Sequence, residues 1–272
     1  MKQGKKSVQN VAMLFGMMLL VLFMLPMQVS AADRSFNKTK VVEIKEKQDY
    51  KHTKKYIWIK YKAADTGYIT ITATNKVEQA EQTEGENSEV TEEPTYAKGK
   101  ICLYNSKKKT ALSQAENYDT SSTDSADYTV SYGVKKNSVY YLRVKAEGAV
   151  DIKYKLTKVK ESSGSKKSKA MSIKKNKTIR GIIPAGDKSA DWYKIKISKK
   201  QTLHLYYAGK ANGKLKFTFS GTYLKTAKKY VKQDVTKTHH TYSTERVQPG
   251  TYYVKIQRSN SKSSGYYTLK WR

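Results

Sequence analysis

From about position 56 onward, apolar residues recur at every second position. Ile69 and Ile71, Leu142 and Val144, Leu203 and Leu205, and Leu215, Phe217 and Phe219 each alternate with polar neighbours. A period of two places one face of a strand in a core and the other in solvent. No long stretch shows the helical period. Alternation of this kind, without continuous apolar runs, predicts antiparallel sheets buried on one side. The expected class is therefore all-β, with antiparallel β-sandwich (jelly-roll-like) architecture.

The pattern occurs twice. Trp58-Ile59-Lys60-Tyr61-Lys62 is answered by Trp192-Tyr193-Lys194-Ile195-Lys196, an offset of 134 from position 58 to position 192. Tyr140-Tyr141-Leu142-Arg143-Val144 is answered by Tyr252-Tyr253-Val254-Lys255-Ile256, an offset of 112 from position 140 to position 252. The difference of 22 matches the length of the segment Lys76 to Ala97, which holds seven glutamates. Such a segment has little to bury against the entropy of ordering it, so a disordered acidic insertion is expected at 76–97. The predicted organisation is one sandwich over 35–159, a flexible linker over 160–170 rich in Ser, Gly and Lys, and a second sandwich over 171–272.

Alternation also sorts the faces. Tyr193, Ile195 and Ile197 should point inward, which leaves Trp192, Lys194 and Lys196 outside. Trp58, Lys60 and Lys62 match them in the first unit. On the later repeated strand the outward set is Tyr141 and Arg143 in unit one, and Tyr253 and Lys255 in unit two. Each unit thus offers aromatics flanked by cations as its candidate ligand-binding face. Plain sheet stabilisation by cross-strand aromatic pairs, with lysines guarding solubility, accounts for the same residues without a ligand.

The first 32 residues stand apart. Lys2, Lys5 and Lys6 precede an apolar run from Val11 to Met27, and Val29-Ser30-Ala31 supplies small residues. That order reads as a secretory signal peptide over 1–32, cut after Ala31 or Ala32; an uncleaved membrane anchor is the alternative. No later stretch is apolar enough to span a membrane, so no transmembrane segment is expected after cleavage. With Cys102 as the only cysteine, an exported chain carries no internal disulfide, and packing must hold it.

The second unit resembles the bacterial pre-peptidase C-terminal domain, a small β-sandwich found beside secreted proteases. The residues that carry the resemblance are Gly181-Ile182-Ile183, Gly186-Asp187, Asp191-Trp192-Tyr193-Lys194-Ile195, Gly250-Thr251-Tyr252-Tyr253-Val254-Lys255-Ile256 and Gly265-Tyr266-Tyr267-Thr268-Leu269. The first unit shares less of it: Ser138-Val139 replaces Gly-Thr, and Tyr56-Ile57 replaces the Ala-Asp before the tryptophan. The resemblance implies a non-catalytic accessory role in targeting, attachment or substrate contact. Some relatives look calcium-binding near the Gly-Asp turn. Asp187 and Asp191 are the candidates here, fewer than the six to eight oxygens calcium takes.

Charge sharpens the partner. The chain carries a formal net +30. Residues 171–272 hold 23 Lys and Arg against four acids, whereas 35–160 hold 23 against 17. A cationic exported domain should adhere to anionic cell-wall polymer or acidic polysaccharide. Nucleic acid is no specific partner for an exported chain. No catalytic or metal-binding residues are expected, and no cofactor. His52, His204, His239 and His240 form no metal motif; His204 is placed on a strand and His239-His240 in a loop. No nucleophile elbow, zinc-protease helix or phosphate-binding glycine loop occurs. The expected role is a secreted, non-catalytic binding protein retained at the surface by charge. A carbohydrate-binding module using the tryptophans and tyrosines, or an accessory subunit of a separate exported enzyme, are the other readings.

Overall fold

The computed structural model describes residues 34–36, 41–44, 56–75, 98–119, 127–147, 149–221, 224–232, 238–243 and 245–272. The expected signal peptide and the glutamate-rich insertion lie outside the described residues. The described part is an all-β protein of two sandwiches built on one plan.

In the first sandwich the strands are β1 (Arg34–Ser35), β2 (Val41–Ile44), β3 (Ile57–Lys62), β4 (Gly67–Asn75), β5 (Lys98–Asn105), β6 (Glu116–Asp119), β7 (Asp127–Val134), β8 (Val139–Glu147) and β9 (Val150–Lys158). They form a sheet in the order β1-β3-β8-β5-β6 and another in the order β2-β9-β4-β7. The second sandwich has β10 (Met171–Ser172), β11 (Ile179–Ile183), β12 (Asp191–Ile197), β13 (His204–Asn212), β14 (Lys214–Gly221), β15 (Leu224–Lys232), β16 (His239–Tyr242), β17 (Gly250–Arg258) and β18 (Ser264–Trp271). Its sheets run β10-β12-β17-β14-β15 and β11-β18-β13-β16, the same order strand for strand. All pairs are antiparallel except the two-residue pairings of β1 with β3 and β10 with β12.

The repeat extends to register. Trp58 lies opposite Arg143 as Trp192 lies opposite Lys255, and Lys60 opposite Tyr141 as Lys194 opposite Tyr253. Between the sheets, Ile59, Tyr61, Leu142 and Val144 meet Ile69, Ile71, Tyr132 and Ile152 in one core. Tyr193, Ile195, Phe217, Val254 and Ile256 meet Leu205, Tyr207, Tyr267 and Leu269 in the other. Each such side chain, fully buried, contributes roughly 1.5–3 kcal/mol, which fixes the register because a one-residue slip would expose the whole set. Tyr140 and Tyr252, the first tyrosine of each repeated pair, also tether the turn before their own strand. The Tyr140 hydroxyl accepts from Lys135 N at 3.0 Å, and the Tyr252 hydroxyl donates to Gln248 O at 2.9 Å.

The two sandwiches share a seam. Gly133 N donates to Ser264 Oγ at 3.2 Å, and Ala185 N donates to Gly133 O at 2.8 Å. A Cβ on Gly133 would overlap the Ile183 carbonyl and stand 3.0 Å from Gly265 N. Ala185, from the second unit, is part of the first core. The turn that carries it closes through Asp187 N to Pro184 O at 3.1 Å and needs Gly186 at φ 82°, as a type II turn does. Asn212, fully buried, donates from Nδ2 to Glu116 Oε1 at 2.7 Å.

Segment 160–170, expected as a free spacer, is hydrogen-bonded to the second sandwich. Gly164 and Trp192 exchange backbone bonds of 3.1 and 2.8 Å, Lys167–Lys169 form a 3-10 turn, and Ile173 N reaches Lys194 O at 2.9 Å. The segment covers the edge of β12, whose backbone groups would otherwise stand open to pairing with another chain. Residues 239–240, expected in a loop, instead begin β16, an edge strand paired with β13.

Candidate functional site

The outward faces of β3 and β8 bring Trp58, Lys60, Tyr141 and Arg143 together, and two further aromatics join them. Trp58 packs edge-on against Tyr104 of β5 at 5.0 Å between ring centroids and lies 6.4 Å from Tyr141. The Arg143 guanidinium sits 4.6 Å from the Tyr56 ring and 4.8 Å from Tyr104. Lys108 Nζ stands 4.7 Å over Tyr141 and 5.5 Å over Trp58. Lys108 reaches them from the turn after β5, where its φ is 57° and its N donates to Asn105 O. Each such cation–ring contact is worth about 0.5–1 kcal/mol at an exposed site. Tyr56, Tyr104 and Lys108 were not among the sequence-derived candidates. Tyr104 could have been reached by alternation along β5, but Lys108 belongs to a turn and follows no period.

The second sandwich repeats the arrangement with different cations. Lys255 Nζ lies 5.5 Å over Trp192, its register partner, and Lys167 Nζ lies 4.7 Å over Tyr253. Lys167 comes from the segment that pads the edge of β12. Trp58 and Trp192 are half-buried rather than bare, because neighbouring rings and lysine stems lie against them. Lys62 and Lys196 stand at their strand ends, opposite Val139 and Thr251, and are exposed. The ten candidates thus form two separate ladders, one on each sandwich.

A second cluster lies under the seam. Asp191, 6% exposed, accepts from Tyr267 OH at 2.6 Å and from Ser163 Oγ at 2.8 Å. Ser163 Oγ is also 2.9 Å from Glu161 Oε1, and the Tyr193 and Tyr267 hydroxyls are 2.8 Å apart. Ser163 has one proton and two carboxylate neighbours, so it can donate to only one of them. The chain of bonds closes if Glu161 is a neutral acid: Glu161 donates to Ser163, Ser163 and Tyr267 to Asp191, and Tyr193 to Tyr267. Burial, and then the Asp191 charge, push the Glu161 pKa up to about 8. Burial raises Asp191 as well. The expected acid pair Asp187 and Asp191 therefore has a third member from the linker. Among the described residues no group of three or more His, Cys, Asp or Glu side chains is arranged to hold a metal ion.

On the outer side of β13 and β16, His204 Nδ1 is 3.0 Å from His240 Nε2, and Tyr206 stacks on His240 at 4.4 Å. The stack explains how a short polar segment forms a strand. Among the described residues no helix is long and apolar enough to cross a membrane.

No protein-family model matches the chain, and no curated protein does. Among solved structures, it is similar to the pre-peptidase C-terminal domain of a collagenase from Bacillus anthracis, at 17% identity over 38% of this chain and 93% of that one, TM-score 0.30. It is also similar to a tandem CBM22 domain from Paenibacillus barcinonensis, at 8% identity over 76% of this chain and 71% of that one, TM-score 0.21. A third is the M60 catalytic domain with two CBM51 domains from Clostridium perfringens, at 7% identity over 80% of this chain and 33% of that one, TM-score 0.21.

Proposed function

We propose that this chain is an exported, non-catalytic adhesion protein that holds anionic cell-wall or extracellular polymer by charge. The observation that carries the reading is the capping of the outward aromatics. Arg143 and Lys108 cover the ring faces of the first ladder, and Lys255 and Lys167 those of the second. A ring already faced by a cation offers a neutral sugar little bare surface to stack on. The same arrangement holds ammonium and guanidinium groups in a fixed array, which a polyanion can meet at several points. The net charge, +30 for the whole chain and still strongly positive once Lys2, Lys5 and Lys6 leave with the signal peptide, supplies long-range attraction for a polyanion.

The test is retention of the purified chain on cell walls, with and without their anionic polymer. Retention should be strong at low ionic strength and fall away by roughly 0.5 M salt, where the Debye length shrinks below about 5 Å. Replacing Lys194, Lys196 and Lys255 together by Ala should weaken it. Equal retention on walls stripped of anionic polymer would sink the reading. Binding that survives high salt but is lost in Trp58→Ala or Trp192→Ala would favour recognition of neutral carbohydrate instead.

A further inference from the structure

A cleft of about 600 Å³ opens where the two sandwiches meet, on the side of the four-stranded sheets and away from both ladders. Its floor is made by Tyr68 of β4 and Tyr266 of β18, whose rings lie 5.4 Å apart and are tilted by 41°. The seam brings them together. Tyr68 is the register partner of Gly133, and Tyr266 follows Gly265; these are the two glycines in backbone contact across the seam. The walls carry Lys160 and Arg180, both exposed, and Thr157 and Thr178 also line the cleft. Lys158, also at the wall, is bonded to Asp65 at 2.6 Å, so part of its charge is already answered. Among the described residues neither Lys160 nor Arg180 is in an ion pair.

We infer that this cleft is a binding site for an acidic sugar, a carboxylated pyranose within a polyuronate chain. The volume lies within the range of small-ligand sites. Two rings tilted into a shallow V suit the apolar C–H face of a sugar better than a flat base, which would need parallel walls. A guanidinium binds a carboxylate through two parallel N–H donors, so Arg180 is the group that selects a uronate. Threonine hydroxyls both donate and accept, as ring hydroxyls require. The site shares no residue with the ladders and does not depend on their role.

Calorimetric titration of the purified chain with tetragalacturonate tests this, with a neutral tetrasaccharide and tripolyphosphate as comparison ligands. In roughly 0.5 M salt, which screens the ladders, saturable one-to-one binding is expected for tetragalacturonate alone. Arg180→Ala and Tyr266→Ala should each weaken it about tenfold or more. Lys199→Ala, which removes one charge elsewhere, should leave it unchanged. Tyr266 borders the seam, so its variant is read only if the thermal transition is retained; Arg180 is exposed, and its variant stands by itself. Absence of saturable binding, or equal binding by the Arg180 variant, overturns the inference. Equal binding of tripolyphosphate overturns the sugar assignment. Wall retention measured on the same variants separates this site from the ladders, since it should not follow Arg180→Ala.

Discussion

Asp191 is placed where an unaccompanied carboxylate would be costly, and the groups around it are arranged to lower that cost. Tyr267 and Ser163 donate to it, while Glu161 beside it keeps a proton. Because the folded chain holds the Glu161 proton more tightly than the unfolded chain does, the stabilisation is full below about pH 4 and is lost as pH rises through about 8. Urea unfolding should therefore show lower stability at pH 9 than at pH 5. The loss should be about 1–2 kcal/mol after discounting for the solvent that reaches the carboxyl. Glu161→Gln, which keeps a donor and removes the charge, should flatten that pH dependence; an unchanged profile would disprove the protonated state. Asp191, Tyr193 and Tyr267, which burial also holds above their ordinary values, remain in the variant and supply its residual slope. From the sequence, Asp191 was visible as a candidate acid. Glu161 was not, because its partner lies 30 positions away and its own surroundings read as spacer. Chemistry that depends on a contact between distant segments leaves no period to read.

Strands were the most legible level. Alternation alone placed Trp58, Tyr141, Trp192 and Tyr253 outward and Tyr140, Tyr193 and Tyr252 inward, and the burial of these residues agrees. What it missed were elements held by something other than aliphatic burial. β16 is polar, and its imidazole and tyrosine rings stack on those of β13. Segment 160–170 is held by backbone bonds, to which composition is blind. Between elements the decisive residue is Gly133, because a methyl group there meets the Ile183 carbonyl. Gly133→Ala should cost about 1–3 kcal/mol, the range for overpacking, and draw Tyr68 away from Tyr266. Thermal melting would register the first effect and the tetragalacturonate titration the second. A variant as stable as the parent would mean that the seam yields easily.

At the scale of the whole molecule, the repeat offsets of 134 and 112 reappear as identical strand order and register. The seam had no sequence signature, since small residues such as Gly133, Ala185 and Ser264 read as ordinary turn and strand positions. With Ala185 lodged in the first core, the sandwiches should unfold together. Cys102, buried in the first, and Trp271, buried in the second, report on them separately. Thiol accessibility and the tryptophan fluorescence of a Trp58→Phe variant, whose remaining tryptophans both lie in the second sandwich, should give coincident denaturant midpoints, and two separated midpoints would contradict the shared core. The seam also bears on how the molecule would engage a long ligand. Two binding modules on a loose tether find their second contact at an effective concentration set by the tether. Here the spacing of the two ladders is built into one body, so avidity would depend on whether the charge repeat of the polymer is commensurate with that spacing.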